Sequence, residues 1–184
     1  MIPLSGGNKL LDVNVILSKA KIGPKMKIAD LGCGTTGHFV FPAAKMVGKE
    51  GIVYAVDILK TVLESIDRRA RVDNFTNVKT IWSDLEIFNA TNIESGSLDL
   101  VLIMNTLHLS QKRAEVLREA RRLLKKKGKL VIVEWKNTVS PFGPPPEVRV
   151  NYDNLIIAAE RMGLKLEEEF FAGHYHFGLI FIKI

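Results

Sequence analysis

Ile28-Ala29-Asp30-Leu31-Gly32-Cys33-Gly34-Thr35-Thr36-Gly37-His38 is an apolar run that ends in an acid and breaks into a glycine-rich turn. Twenty residues past Gly37 a second apolar run, Ile52-Val53-Tyr54-Ala55-Val56, ends in another acid, Asp57. Two such runs separated by helical sequence predict parallel strands with a nucleoside-containing ligand across their carboxyl ends. The spacing Gly32-x-Gly34-x-x-Gly37 also fits the dinucleotide fingerprint, with Asp57 where a ribose-binding acid belongs. Asp30 decides between the two ligand classes. A carboxylate two residues before the first glycine would face the phosphates of a dinucleotide, whereas a ligand bearing an ammonium group would favour it.

Outward from that turn, the pattern is alternating. Leu10, Leu11, Val13, Val15, Ile16 and Leu17 predict a short covering helix over 8–20, and Gly23-Pro24 breaks the chain before a strand over 26–31. Pro42 is tolerated only in a first helical turn, so the next helix is expected to begin near Phe41 and to close at Gly48. Strands are predicted at 52–56, 78–82 and 98–104, with a helix at 59–71; the run 98–104 is apolar throughout, as in a strand buried on both faces. An amphipathic basic helix follows, then Gly128 and a strand over 129–135. Residues 137–150 hold Pro141, Pro144, Pro145, Pro146 and Gly143 and read as a loop or lid. A helix at 152–162 and strands at 164–170 and 177–184 complete the chain, the last two close enough in sequence to form an antiparallel hairpin. The result is an α/β domain whose five parallel strands are joined by right-handed crossovers.

Asp30-Leu31-Gly32-Cys33-Gly34, Asp57, Ser83-Asp84-Leu85 and the stretch Leu123 to Val133 occur in the order found in class I S-adenosylmethionine-dependent methyltransferases, which the chain resembles over roughly residues 24–184. The nearest branch is the small-molecule one that includes the quinone-biosynthesis methyltransferases. One departure is visible: Thr36 stands at the family's third glycine position, with Gly37 following it. The resemblance implies a Rossmann-like three-layer sandwich, a seven-stranded, mostly parallel sheet closed by an antiparallel C-terminal hairpin. It also implies S-adenosyl-L-methionine as cofactor, in-line methyl transfer to a small-molecule acceptor, and release of S-adenosyl-L-homocysteine. By the same resemblance Asp30 accepts from the cofactor's ammonium, Gly32, Gly34, Thr35, Gly37 and His38 form the turn around its methionine part, and Asp57 receives the ribose hydroxyls. Ile58 packs on the adenine, Asp84 and Leu85 flank it, and Asn105 contacts the methionine part. His108, in the loop after the buried strand, is the candidate general base, because an imidazole can accept a proton near neutral pH.

Length fits one domain over 1–184, with residues 1–23 as a covering segment. An apolar share of 47% and a charged share of 25% describe a globular protein, and no apolar run approaches the ~20 residues of a membrane span. The first residues lack a signal-peptide design, and the single cysteine, Cys33, excludes an internal disulfide and a multi-cysteine zinc site, so a cytoplasmic location is expected. No carboxylate at useful spacing supports a metal at His174-Tyr175-His176, which are expected to be exposed turn residues. Residues 112–129 carry nine Lys/Arg against Glu115 and Glu119. A solvated basic back, with Arg118, Arg121, Arg122 and Lys125 opposite the apolar stripe, is the favoured account. An RNA or protein methyltransferase using that surface is the alternative, as is a cofactor-binding regulator without turnover.

Overall fold

The computed structural model describes residues 10–184. The first strand, β1 (Lys27–Leu31), pairs in parallel with β2 (Ile52–Asp57) on one side and β4 (Leu98–Met104) on the other. β3 (Val78–Trp82) extends the sheet beyond β2, and β5 (Leu124–Trp135) lies in parallel beside β4. The hairpin β6 (Leu164–Phe171) and β7 (His176–Lys183) joins antiparallel to β5 through β7. The order is β3-β2-β1-β4-β5-β7-β6, seven strands in one sheet, with the expected five paired in parallel and the hairpin added by antiparallel pairing, so that β7 alone runs against the other six.

Period-two alternation sorts the strand residues onto two faces. Ile28, Leu100, Leu102, Val131 and Val133 pack with Ile16 and Leu17 of α1 (Val13–Lys19), Phe41 of α2 (Val40–Val47) and Ile66 of α3 (Lys60–Val72). Ala29, Leu31, Val101, Ile103, Leu130 and Ile132 pack on the other side against Val116, Leu117 and Ala120 of α4 (Arg113–Leu123) and Leu155 and Ala159 of α5 (Tyr152–Arg161). The central strands are covered on both faces, which is why their sequences are nearly continuous apolar runs. The covering helix expected over 8–20 is observed at Val13–Lys19, capped by Asp12, whose carboxylate accepts from the N–H groups of Asn14 and Val15; the expected span reaches two residues beyond those described.

Two boundaries differ from the pattern-based reading. The basic helix stops at Leu123, because Leu124 takes an extended conformation (ψ 138°) and pairs with Leu98 at the start of β5. Lys125, placed on the helix by its sequence pattern, instead lies in β5 and forms an ion pair with Asp99. His176, expected in a turn, is the first residue of β7 opposite Trp135, and it is fully buried. Among the described residues no helix is long and apolar enough to cross a membrane.

Candidate active site

The sheet reverses its winding between β1 and β4, and the crevice beyond their carboxyl ends is where open α/β sheets place ligands. The chain leaves β1 through Gly32 and Cys33, whose N–H groups both donate to the Val56 carbonyl, at 2.8 and 3.1 Å. The three glycines of the turn then do different work. Gly32 (φ +80°) passes so close to Thr106 that a Cβ would lie 2.5 Å from that side chain. Gly37 (φ +53°) makes room for Phe41 and Ile66, which a Cβ would meet at 2.7 and 2.8 Å. Gly34 (φ +65°) faces open space, with nothing among the described residues within 4 Å of a Cβ. Gly34 is therefore the place where backbone can approach a ligand, and its flanking glycines fix the turn against the protein.

The family departure at Thr36 has a structural partner. Thr35 and Thr36 are exposed, and the Thr36 carbonyl is held by Arg69 of α3 at 2.8 Å, while the Arg69 guanidinium lies 4.2 Å from the Phe41 ring centroid. His38 sits edge-on to Phe39, with its Nε2 buried and without a hydrogen-bond partner among the described residues.

Asp30 is 1% exposed, and its Oδ1 is buried with no hydrogen-bond partner among the described residues. Burial, and then the nearby charge of Asp57, push its pKa up to about 7. Asp57, at the end of the neighbouring strand, accepts from the N–H of Gly34 at 3.2 Å and of Leu59 at 3.0 Å. It thus ties the glycine turn to the start of α3, and each carboxylate oxygen retains a further lone pair. Ile58 beside it is half-exposed, its carbonyl fixed by the Trp82 indole N–H at 2.8 Å. Asp84 follows β3, its Oδ1 accepting from the Glu86 N–H at 2.9 Å, with Leu85 partly buried beside it. Asn105, directly after β4, adopts φ +52° and is 9% exposed, its N–H donating to the Val133 carbonyl at 2.8 Å.

His108 is not isolated. Its Nδ1 lies 3.0 Å from Oε2 of Glu134, a fully buried carboxylate at the end of β5. The other oxygen, Oε1, accepts from the N–H groups of Leu107 and His108 at 2.7 and 3.3 Å. A carboxylate in this position can only accept, so Nδ1 carries a proton, and in the neutral imidazole it is Nε2 that keeps the lone pair. This base-plus-orienter arrangement is suited to proton removal. Burial, followed by nearby positive charge, Lys136 and Arg149 among it, pushes His176 down to about 4, so it is a neutral imidazole at neutral pH. Its ring lies 4.1 Å from the Trp135 ring, and neither of its nitrogens has a hydrogen-bond partner among the described residues.

Glu134 was not singled out in the sequence, although a usable signal was present: like Asp30 and Asp57 it is an acid ending an apolar strand. His176 gave no such signal, since its burial depends on the β5–β7 register. The proline-rich segment is pinned rather than loose. Arg149, 7% exposed, donates to the carbonyls of Lys136, Thr138 and Pro144, and Gly143 rests on the Trp135 ring.

A parallel sheet in this order with its antiparallel hairpin, and acids at the ends of β1 and β2, defines the class I S-adenosylmethionine-dependent methyltransferases, for which S-adenosyl-L-methionine is the cofactor. The chain belongs to the methyltransferase domain family, whose profile matches residues 22–160. Over 141 residues it is 29% identical to the ubiquinone/menaquinone biosynthesis C-methyltransferase of Laribacter hongkongensis, covering 77% of this chain and 56% of that protein. It is 29% identical over 117 residues to the demethylmenaquinone methyltransferase of Lactococcus lactis, covering 64% and 45%. The chain thus spans about half the length of these curated relatives. A crystal structure of a SAM-dependent methyltransferase from Aquifex aeolicus superposes with a TM-score of 0.87 at 24% identity, over 96% of this chain and 92% of that one.

Proposed function

We propose that this protein transfers a methyl group from S-adenosyl-L-methionine to a small-molecule acceptor, an activity in class 2.1.1, in the cytoplasm. The observation that carries the proposal is Asp30: a buried carboxylate with an unpartnered oxygen, next to a second acid and near the open backbone at Gly34. A diphosphate would add negative charge to that pair of acids. An ammonium would satisfy the orphaned oxygen and relieve the repulsion, so the residues fit the sulfonium amino acid and not a dinucleotide. Names of the quinone-biosynthesis relatives support a small acceptor.

When bound, the cofactor supplies an electrophilic methyl group on sulfonium. Asp30 would hold its ammonium, the Gly34 region its methionine part, Asp57 its ribose hydroxyls, and Ile58, Asp84 and Leu85 its adenine, with Asn105 at the methionine end. Thr35, Gly37 and His38 shape the turn. His108, oriented by Glu134, would take the proton from an acceptor hydroxyl, thiol or acidic carbon through Nε2. Glu134 acts through His108 and is a positioning residue. The pinned 137–150 loop and Trp135 would wall the acceptor side and exclude water.

Isothermal calorimetry tests the proposal. S-adenosyl-L-methionine and S-adenosyl-L-homocysteine should bind and NAD should not, and Asp57→Ala should weaken both by about tenfold or more, the loss of a charge-assisted pair. NAD binding in preference to the sulfonium compound, or unchanged affinity in Asp57→Ala, would overturn it.

A further inference from the structure

At the opposite end of the sheet, the amino ends of the parallel strands, a cavity of about 590 Å³ opens between α4, the Ser95–Gly96 turn and the end of β7. Phe88, Arg118, Arg121, Arg122, Met162 and Lys183 line it. Two of its four cations are committed to the fold. Arg122 donates to both oxygens of Glu119, to the Thr91 and Ile93 carbonyls and to the Ser95 hydroxyl. Arg118 bonds both oxygens of Glu115, at 3.0 and 3.1 Å, and its guanidinium lies 4.7 Å from the Phe88 ring.

Arg121 and Lys183 are left without counter-ions. Neither forms an ion pair among the described residues, and Arg121 Nε is buried with no hydrogen-bond partner. Lys183 donates to the Leu124 carbonyl, and its ammonium is held below its usual pKa by burial and then by Arg121. Two uncompensated cations facing one concavity are the chemistry of an anion site. Guanidinium groups match phosphate oxygens in particular. Just outside the cavity Lys125 is paired to Asp99 and Lys129 to Glu167, whereas Lys126 and Lys127 are exposed and form no ion pair among the described residues. A concavity of this size, with two unpaired cations beside one aromatic ring, has the dimensions of a small anionic ligand. Phe88, nearly half exposed and backed by Arg118, offers a flat apolar face to the rest of the ligand.

We propose that this cavity binds a phosphate ester with an aromatic body, the phosphate between Arg121 and Lys183 and the ring on Phe88. The site is separate from the glycine turn, so the proposal stands or falls independently of the methyltransferase reading.

Amide NMR titrations of the full chain with phenyl phosphate, inorganic phosphate, phenol and a short oligouridine test it. Phenyl phosphate should saturably shift the amides of Gly96, Arg122 and Gly163 and should bind more tightly than phosphate or phenol. Arg121→Gln should weaken that binding by about tenfold or more, Arg121→Lys should restore part of it, and cofactor affinity by calorimetry should be unchanged in both. Phe88→Ala, at a solvent-facing position, should erase the preference for phenyl phosphate over inorganic phosphate. Non-saturating shifts, shifts located elsewhere, or a preference that survives Phe88→Ala would overturn the proposal. Saturable oligouridine binding without phenyl phosphate binding would also overturn it, in favour of a nucleic-acid surface.

Discussion

Glu119 and Asp30 are both carboxylates removed from water, at 0% and 1% exposure, but one is fully satisfied and the other is not. Burial pushes the Glu119 pKa up, yet Arg122 and the N–H groups of Asn89 and Thr91 outweigh it, and the net shift is downward. Asp30 has the same burial without a cation, a second acid for a neighbour, and a net shift upward to about 7. A buried acid with its cation in place is part of the architecture; one without it is, on the function proposed above, where the ligand's cation would sit. The two also respond to pH with opposite signs. Glu119, with a depressed folded pKa, stabilises the fold above its unfolded value and loses that contribution as pH falls through the folded one. Asp30, raised, favours the fold only while protonated, and that contribution is lost as pH rises from about 4 through about 7.

Breaking the satisfied pair should have the largest effect. Arg122→Ala strands the Glu119 charge and frees the Thr91 and Ile93 carbonyls, so urea unfolding should show a loss of about 3–5 kcal/mol. A loss within experimental scatter would mean that Glu119 is not a structural acid. Asp30→Asn should act in the opposite direction, raising apo-protein stability at mildly alkaline pH by up to roughly 4 kcal/mol, about 1.4 per pKa unit relieved, and by little near pH 4. The same variant should lose cofactor affinity, and a destabilised variant at alkaline pH would erase the contrast with Glu119. Ammonium capture by Asp30 should release about half a proton near pH 7, read by calorimetry in buffers of different ionisation enthalpy. Release that persists in Asp30→Asn would assign the proton elsewhere. The smallest effect is expected at Glu134, an acid satisfied by two N–H groups and a histidine. Glu134→Gln should cost about 1 kcal/mol, and ¹⁵N shifts should show His108 losing its fixed Nδ1–H tautomer. An unchanged tautomer would remove Glu134 from any positioning role.

Much of the fold follows from local pattern. Alternating apolar runs, Gly48 as a helix stop, and the short connection expected over 172–176 indicate strand number, order of elements and the terminal hairpin, because period and turn chemistry are local properties. The α4–β5 boundary was misplaced because Leu124 is helical by pattern but is drawn into β5 by pairing with Leu98. The basic back of α4 was only half correct. Arg122 points inward to a buried acid, and a charge pattern does not reveal which cation has a partner.

Sequence by itself determined that an acid closes each of the first two strands and that glycines follow the first, enough to choose a zwitterionic nucleoside ligand over a diphosphate one. Tertiary structure decided which glycine faces open space, which histidine has a carboxylate behind it, and which cations are left uncompensated. Those properties belong to pairs of groups brought together from distant parts of the chain, such as His108 with Glu134 and Arg121 with Lys183. Burial then sets the strength of each interaction by removing the water that would otherwise screen it.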